Sequence, residues 1–351
     1  MMPTTSQLSA PTLLDDGLRF VRVDMQSPRA GQTSSDDSAA DSVTALDPHV
    51  LHRHAPDAHW ELHQHGVRIG RYSAWWSRTP LFRGQRVGFI GHLAANGSQI
   101  DAILQHACGQ LSAHACTLAV GPVDGSTWCN YRLVTEPGRR PPFFLEPQNP
   151  IDWPALFSKS GFAPLAHYFS AECRDLGRRD GRVERARARL EAAGVHLRPL
   201  RTEALEADFL KIHSLARVAF RDNPLYSEPT VDEFLADCRA LAALVSHDFV
   251  LLAEHHQRPV GFILALPDLL QKQRGEPVDT LIVKTLAALP ERGLAGLGQW
   301  LLSDVQQRAH AAGYRRAIHA LVRDVGHLRR ISTRWATPIR RYTLFARALQ
   351  P

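Results

Sequence analysis

The chain runs twice through the same succession of segments. Residues 60–76 (WELHQHGVRIGRYSAWW) place two runs of partly alternating apolar residues around Gly66, the pattern of a β-hairpin. A strand over 86–90 follows. Apolar residues then recur at Ile103, Leu104, Ala107 and Leu111, the spacing of one helix face within 100–113, and strand character returns at 116–120. The second half reads alike: a hairpin over 249–266 turning near His256 and Gln257, a strand at 280–289, an amphipathic helix over 299–312 closed by Gly313, and a strand at 317–322. His92-Leu93-Ala94-Ala95 recurs as Thr285-Leu286-Ala287-Ala288 at the same place in that order. This predicts an α/β (α+β) fold of two modules in tandem.

A length of 351 residues leaves room for two domains with cores of their own. Residues 1–48 are expected to be largely flexible, because the stretch 26–48 holds almost no large apolar side chain to offset the entropy of ordering. The first module is placed at 49–174, a linking helix at 175–194 and the second module at 195–351. The linking helix carries Arg178, Arg179, Arg182, Arg185, Arg187 and Arg189 interleaved with Ala186, Ala188, Leu190, Glu184 and Glu191. Without stacking aromatics or a nucleic-acid module around them, these arginines read as a solvated face, and a net charge of +6 alone does not call for a nucleic-acid partner.

No apolar run approaches the ~18 residues of a membrane span, and the first residues show no basic n-region followed by an apolar stretch. The expected location is the cytoplasm, with no membrane partner. Cys108, Cys116, Cys129, Cys173 and Cys238 are scattered and form no CxxC, against a disulfide framework or structural zinc. The histidines His49, His52, His54, His59, His63 and His65 attract a metal reading, but no cysteine or carboxylate set completes a tetrahedral site, and none is expected. There is also no G-x-S-x-G elbow for hydrolase chemistry.

The segment that carries chemistry is Glu291-Arg292-Gly293-Leu294-Ala295-Gly296-Leu297-Gly298, between a strand and the helix starting near Gln299. Its glycines let backbone amides converge, and the helix start adds unpaired N–H groups and partial positive charge, which together make a pyrophosphate cradle. A dinucleotide fold needs G-x-G-x-x-G and several more strand–helix units. Here the order is G-x-x-G-x-G and only residues 299–351 remain, so that reading fails, although Asp324 superficially suits a ribose. A helix start that merely needs glycines is the other alternative.

The string LIVKTLAALPERGLAGLGQWLL resembles the fourth strand, the R/Q-x-x-G-x-G/A loop and the third helix of the GNAT superfamily of acyl-CoA-dependent N-acyltransferases. The hairpin before it and the strand AIHALV after it match in order. The resemblance covers most of 195–351 and, in degenerate form, about 55–172. Residues 121–134 (GPVDGSTWCNYRLV), 141–150 (PPFFLEPQNP) and 159–162 (KSGF) are similar to a bacterial subgroup with tandem modules. It implies that each module is a mixed, mostly antiparallel sheet flanked by helices.

By this resemblance the second module binds acetyl-CoA or another acyl-CoA as co-substrate and transfers the acyl group to a primary amine, small molecule or peptide, by direct attack on the thioester. The acyl-pantetheine arm would lie along Val283, Thr285, Leu286 and Ala287, and the pyrophosphate on Arg292, Gly293, Leu294, Ala295, Gly296, Leu297 and Gly298. Gly293 stands where the motif has Arg or Gln, with Arg292 one place early, and Gly326 stands where an Asn is usual. The first module has only Ala95-Asn96-Gly97-Ser98-Gln99 at the corresponding loop and is expected to act as a structural partner. Tyr342 and His319 rank first as acid and base, ahead of Glu254, Asp268, Asp222 and Glu228, while Arg329, Arg330, Arg340 and Arg341 are candidates for the nucleotide phosphates. A non-catalytic acyl-CoA-binding or protein-interaction scaffold is the rival reading, and an inert fold without cofactor a third.

Overall fold

The computed structural model describes residues 12–13, 17–24, 43–97, 99–242 and 246–350. Most of the expected flexible segment at 1–48 lies outside the described residues, as does Ser98. The first part of the chain forms β1 (Thr12–Leu13), β2 (Leu18–Arg22), α1 (Pro48–His54), β3 (Ala58–Gln64), β4 (Val67–Trp75), β5 (Leu81–Phe82), β6 (Gln85–Ala95), α2 (Gln99–Ala113) and β7 (Leu118–Gly121). Then come β8 (Leu133–Glu136), α3 (Trp153–Lys159), β9 (Ala163–Cys173), α4 (Gly181–Ala192), β10 (Val195–Pro199), α5 (Leu205–Phe220) and α6 (Val231–Ala242). The rest is β11 (Val250–His255), β12 (Arg258–Pro267), α7 (Leu269–Gln273), β13 (Thr280–Ala288), α8 (Leu297–Ala311), β14 (Arg316–Arg323), α9 (Gly326–Trp335) and β15 (Thr337–Ala348).

These elements make two compact units, neither of which is one stretch of chain. Unit 1 holds Met1–Leu133, Asn149–Leu165 and Leu344–Pro351, and unit 2 holds Val134–Gln148 and Ala166–Thr343. The α4 segment, expected to be a link, belongs to unit 2, and unit 1 takes the last residues of β15.

In unit 1 the strand order is β1-β2-β3-β4-β6-β7-β15, antiparallel except for β6 beside β7. The face under α2 is filled by Ile100, Ile103, Leu104, Ala107 and Leu111, which recur with the helical period and meet Leu62, Tyr72 and Ile90 in the same core. Each such large side chain contributes roughly 1.5–3 kcal/mol by leaving water. In unit 2 the order is β10-β11-β12-β13-β14-β9, again antiparallel except for β13 beside β14.

The repeat seen in the sequence is kept at the level of single residue pairs. Both hairpins turn on two left-handed residues, His65 and Gly66 in one, His256 and Gln257 in the other. Gly70 faces Ala95 in unit 1, and Gly261 faces Ala288 in unit 2. A Cβ on Gly70 would stand 2.7 Å from Ile103 Cδ1 of α2, and one on Gly261 3.0 Å from Leu297 Cδ2 of α8. Each glycine lets a helix settle directly on the sheet. On the other face of β12, Phe220 of α5 meets Phe262 edge-on.

Candidate functional site

β13 and β14 pair only from Thr280↔Arg316 to Val283↔His319, yet β13 continues to Ala288 and β14 to Arg323. Beyond Val283 the parallel strands part. Both carry irregularities there: the β12–β13 register shifts at Leu264/Ala265, and the β14–β9 register shifts between His319 and Val322. Leu321 sits in the left-handed region (φ 57°), and its N–H donates to Ser170 Oγ at 3.0 Å. Lys284, Thr285 and Leu286 are half-buried, whereas Leu281 to Val283 are buried. The opening is thus accessible along the stretch where β14 no longer pairs.

Unit 1 has the same geometry and closes it. β6 and β7 pair only over Val87–Phe89 against Leu118–Val120. Past that point the loop after β7 fills the gap: Val123 N–H donates to the Ile90 carbonyl at 2.8 Å, and His92 N–H to Asp124 Oδ1 at 2.6 Å. A Cβ on Gly91 would lie 2.1 Å from the Val123 carbonyl oxygen, so only glycine admits the loop.

The opening in unit 2 leads into the glycine-rich segment. A 3₁₀ turn spans Arg292–Leu294, and α8 starts behind Gly296, which is left-handed (φ 90°) and supplies no side-chain cap. The first bond that returns to the cap is Trp300 N–H to the Gly296 carbonyl at 3.0 Å. Leu297, Gly298 and Gln299 are therefore the first-turn residues whose N–H groups a helix leaves without internal partners. With the helix dipole behind them, they favour an anion.

The three glycines of this segment face different surroundings. A Cβ on Gly296 would sit 2.8 Å from Ala186 Cβ on α4, and Arg189 of the same helix donates to the Ala295 carbonyl. A Cβ on Gly298 would approach Ile331 Cδ1 of α9 at 3.3 Å and Leu286 Cδ2 at 4.0 Å, and one on Gly293 would meet nothing within 4 Å. Gly296 thus serves the seating of α4, and Gly298 faces β13 and α9. Gly296→Ala is expected to lower stability by about 1–3 kcal/mol through backbone strain and the lost approach of α4. An unchanged urea midpoint would contradict that packing.

The two residues ranked first for proton transfer are held by different side chains and share no hydrogen-bond partner among the described residues. His319 is 3% exposed. Its Nε2 lies 2.9 Å from the Gln306 side-chain nitrogen on α8 and its Nδ1 2.9 Å from Ser332 Oγ on α9. Burial lowers its pKa to about 4, which keeps the ring neutral. Tyr342 is fully buried on β15; its hydroxyl donates to Glu146 Oε1 and lies 2.9 Å from Ser170 Oγ. Glu146 also accepts from Arg340 and, at 3.2 Å, from Phe143 N–H. Burial first, then the Glu146 carboxylate, pushes the Tyr342 hydroxyl well above its ordinary value, and burial likewise raises Glu146.

Glu146, Ser170 and Arg340 were not singled out from the sequence for this cluster. The one available signal was Glu146 as the only charge in PPFFLEPQNP. Arg340, considered for phosphate contact, is buried and donates to the Pro137 and Arg140 carbonyls besides Glu146. Arg329 and Arg341 both pair with Asp324, at 2.7 and 3.0 Å. Glu254 lies between Arg198 Nε (2.8 Å) and Lys211 Nζ (2.6 Å), Glu228 pairs with Arg217 (2.6 Å), and Asp268 caps α7 while accepting from Phe144 N–H at 2.9 Å. Asp222 is 92% exposed. Among the described residues no three His, Cys, Asp or Glu side chains are placed to hold a metal ion, and no helix is long and apolar enough to cross a membrane.

A mostly antiparallel sheet flanked by helices, with one parallel pair that splays beside a glycine-started helix, is a GNAT-like fold, and solved structures agree. One similar structure, a tandem GNAT protein from the clavulanic acid biosynthesis pathway, has a TM-score of 0.50 at 14% identity over 95% of this chain and 99% of its own. Another is a GCN5-related glucosamine N-acetyltransferase region of a fungal multi-domain GH3 β-N-acetylglucosaminidase, with a TM-score of 0.53 and 11% identity over 99% of this chain. This chain spans 39% of that protein's length. A conserved protein of unknown function from Enterococcus faecalis V583, a probable N-acyltransferase, has a TM-score of 0.53 at 9% identity, over 95% of this chain and 73% of its own. No protein-family model matches the sequence, and no curated protein matches it.

Proposed function

We propose that unit 2 binds an acyl-CoA, acetyl-CoA in the simplest case, and transfers its acyl group to a primary amine. The observation that carries this reading is the opening beyond Val283 and His319, which runs directly to the uncapped start of α8. The residues present fit an extended arm ending in linked phosphates. Acyl-CoA would supply an activated thioester carbonyl there. The β13 backbone from Val283 through Thr285 and Leu286 to Ala287 would hold the arm as a neighbouring strand would. The N–H groups of Leu297 and Gly298 would hold the pyrophosphate, with the turn through Arg292, Gly293, Leu294, Ala295 and Gly296 shaping the approach.

Tyr342 and His319 take positioning roles in this reading. Tyr342 orients Ser170, whose Oγ accepts the Leu321 N–H and so fixes the irregular edge of β14. His319 ties α8 and α9 to the same strand. Unit 1, whose opening is filled by its own loop, is assigned no acyl-CoA.

The burial of Tyr342 and the ion pairing of Glu254 and Glu228 favour one second reading, a protein that binds acyl-CoA without turning it over. Free thiol released from acetyl-CoA in the presence of an amine panel separates the two. The transferase reading expects amine-dependent turnover. Saturable binding with no turnover supports the second reading, and neither binding nor turnover overturns both. With an active amine in hand, Tyr342→Phe is expected to lower kcat by about ten- to a hundredfold with little change in KM, as a small displacement near the reacting atoms does.

A further inference from the structure

Unit 1 holds a continuous chain of nucleophilic and proton-accepting side chains that the acyl-transfer reading does not use. It is assembled from α1, β3, β4, β6 and the loop after β7. Cys129 Sγ lies 3.6 Å from His54 Nε2; His54 Nδ1 lies 2.8 Å from His92 Nε2; His92 Nδ1 lies 2.9 Å from Ser73 Oγ; and Ser73 Oγ lies 2.8 Å from His59 Nδ1. The chain is braced from outside: Trp75 Nε1 donates to the His54 carbonyl at 2.8 Å, and Ser126 Oγ donates to Cys129 Sγ at 3.7 Å. His59 and His92 are buried, and Cys129 is only half-buried.

We propose that Cys129 is a nucleophilic thiol site of unit 1, served by His54 and the relay through His92, Ser73 and His59, and that it exchanges with small disulfides. Cys129 is half-buried on its loop, less enclosed than the buried Cys108, Cys116 and Cys173. That same loop fills the opening between β6 and β7, which leaves no extended slot for an acyl-CoA arm. In the exchange the Cys129 proton passes to His54 Nε2, and the sulfur forms an S–S bond to one sulfur of the disulfide. The bond between the disulfide's own sulfurs breaks, and the departing thiolate takes the proton from His54. One thiol and one disulfide become one mixed disulfide and one thiol, with no external oxidant.

Burial and the neighbouring charges keep each imidazole unprotonated at the cost of a weaker base, so it is the 3.6 Å contact of His54 Nε2 with Cys129, backed by His92, that serves the thiol. Burial first, then Arg53, lowers His54; burial, then His54, His59 and Arg71, lowers His92 to about 3; burial, then Arg71, lowers His59 to about 4 against the opposing pull of Glu61, with Arg68 also nearby. Asp124, which accepts the His92 backbone N–H, is raised to about 6 by burial. All three rings are therefore neutral near pH 7. Burial raises Cys108 to about 11 and Cys238 to about 12, and raises Cys116 and Cys173 as well.

The test is site-resolved labelling of the intact chain with iodoacetamide from pH 6 to 9, read by peptide mass spectrometry, alongside incubation with oxidised glutathione. Cys129 is expected to label at least about ten times faster at pH 7 than the other four cysteines, with a midpoint below the ~8.5 of an ordinary thiol. It is also expected to take up one glutathione that dithiothreitol removes. His54→Gln should slow its labelling at pH 7 about tenfold, equivalent to one pH unit in thiol ionisation, and Ser73→Ala should slow it less. A Cys129 midpoint near 8.5, labelling as slow as that of the buried cysteines, or no glutathione adduct would each overturn the proposal. If His54→Gln fails to fold, the wild-type midpoint and the adduct decide it.

Discussion

On the proposed reading of unit 2, acetyl-CoA binding is expected to weaken at least about a hundredfold when Gly298 is replaced by glutamate, a loss of roughly 3 kcal/mol, while the protein melts close to the wild-type temperature. Position 298 lies in the first turn of α8, and its Cβ direction is towards Leu286 and Ile331. A carboxylate there would occupy the anion position and repel linked phosphates. The fold has reasons to accept it: removing a helical glycine gains about 1 kcal/mol, and an acidic first turn gains about 0.3–1 kcal/mol against the helix dipole. These gains face the need for Ile331 Cδ1, the end of a flexible side chain, to yield slightly. Calorimetric titration and thermal melting on the same preparation check both halves. Unchanged affinity would place the phosphates elsewhere, and a large fall in melting temperature would show that Ile331 cannot move. The same substitution at Gly296 would be ambiguous, because it would displace α4 as well.

Replacing Arg198 by alanine is expected to destabilise unit 2 by about 3 kcal/mol, the lower end of the cost of breaking a buried ion pair. From β10, Arg198 reaches Asp208 on α5 through NH1 and NH2 (2.7 and 2.8 Å) and Glu254 on β11 through Nε and NH2 (2.8 and 3.0 Å). Both carboxylates are buried. Arg201 and Lys211 remain to meet them, at 2.7 and 2.6 Å, which limits the loss. Burial works to raise Glu254, but hydrogen bonds from Arg198 and Lys211 outweigh it and hold its pKa at about 2 against an ordinary 4.5. Asp208 is likewise held below its ordinary value by Arg198 and Arg201 against the effect of burial.

A depressed pKa means that the unfolded chain binds the proton first. The contribution of Glu254 is therefore complete above about pH 4.5 and disappears as pH falls towards about 2. Wild-type stability should fall through that acid window, and Arg198→Ala should flatten the fall. A variant as stable as wild type at pH 7, with an unaltered acid profile, would contradict this account of the network.

Much of this architecture was legible because it is local. Both hairpins announce themselves through alternation around turns, α2 and α8 through apolar residues at helical spacing, and the repeat through its order. The glycine segment was equally visible, since glycine-rich entry into a helix is a local pattern. What each glycine does was not visible: the contact of Gly296 with Ala186 joins residues from separate segments. The same limit applies to Tyr342 and Glu146, whose bond crosses most of the chain, and to β9, which lies beside β14 although it ends before α4 begins. Strand alternation alone could not decide the direction of His319. Its burial between Gln306 and Ser332 depends on where two helices lie.

The His54–His92–Ser73–His59 relay lies partly within the histidine-rich stretch that attracts a metal reading and in which no metal site is expected. His63 and His65 stand two apart, which a strand places on one face. The structure instead pairs His63 with Glu61 at 3.0 Å and joins His59 to a serine on the neighbouring strand and a histidine two strands away. Cross-strand register decides such partnerships, and register is set by the whole sheet.

The two interleaved units have a consequence for synthesis. Along β7, the partner opposite β6 is supplied by Phe345–Ala348, more than 200 residues later in the order of synthesis. Until then, translation leaves one rim of β7 without its ladder, an aggregation-prone state for a nascent sheet. Separating the gene between its two repeats would not yield two working halves either. The upstream fragment would lack that closing strand, and the downstream fragment would lack β9 together with the Glu146 segment. The repeat is visible in translation order, but folding must complete both units from the whole chain.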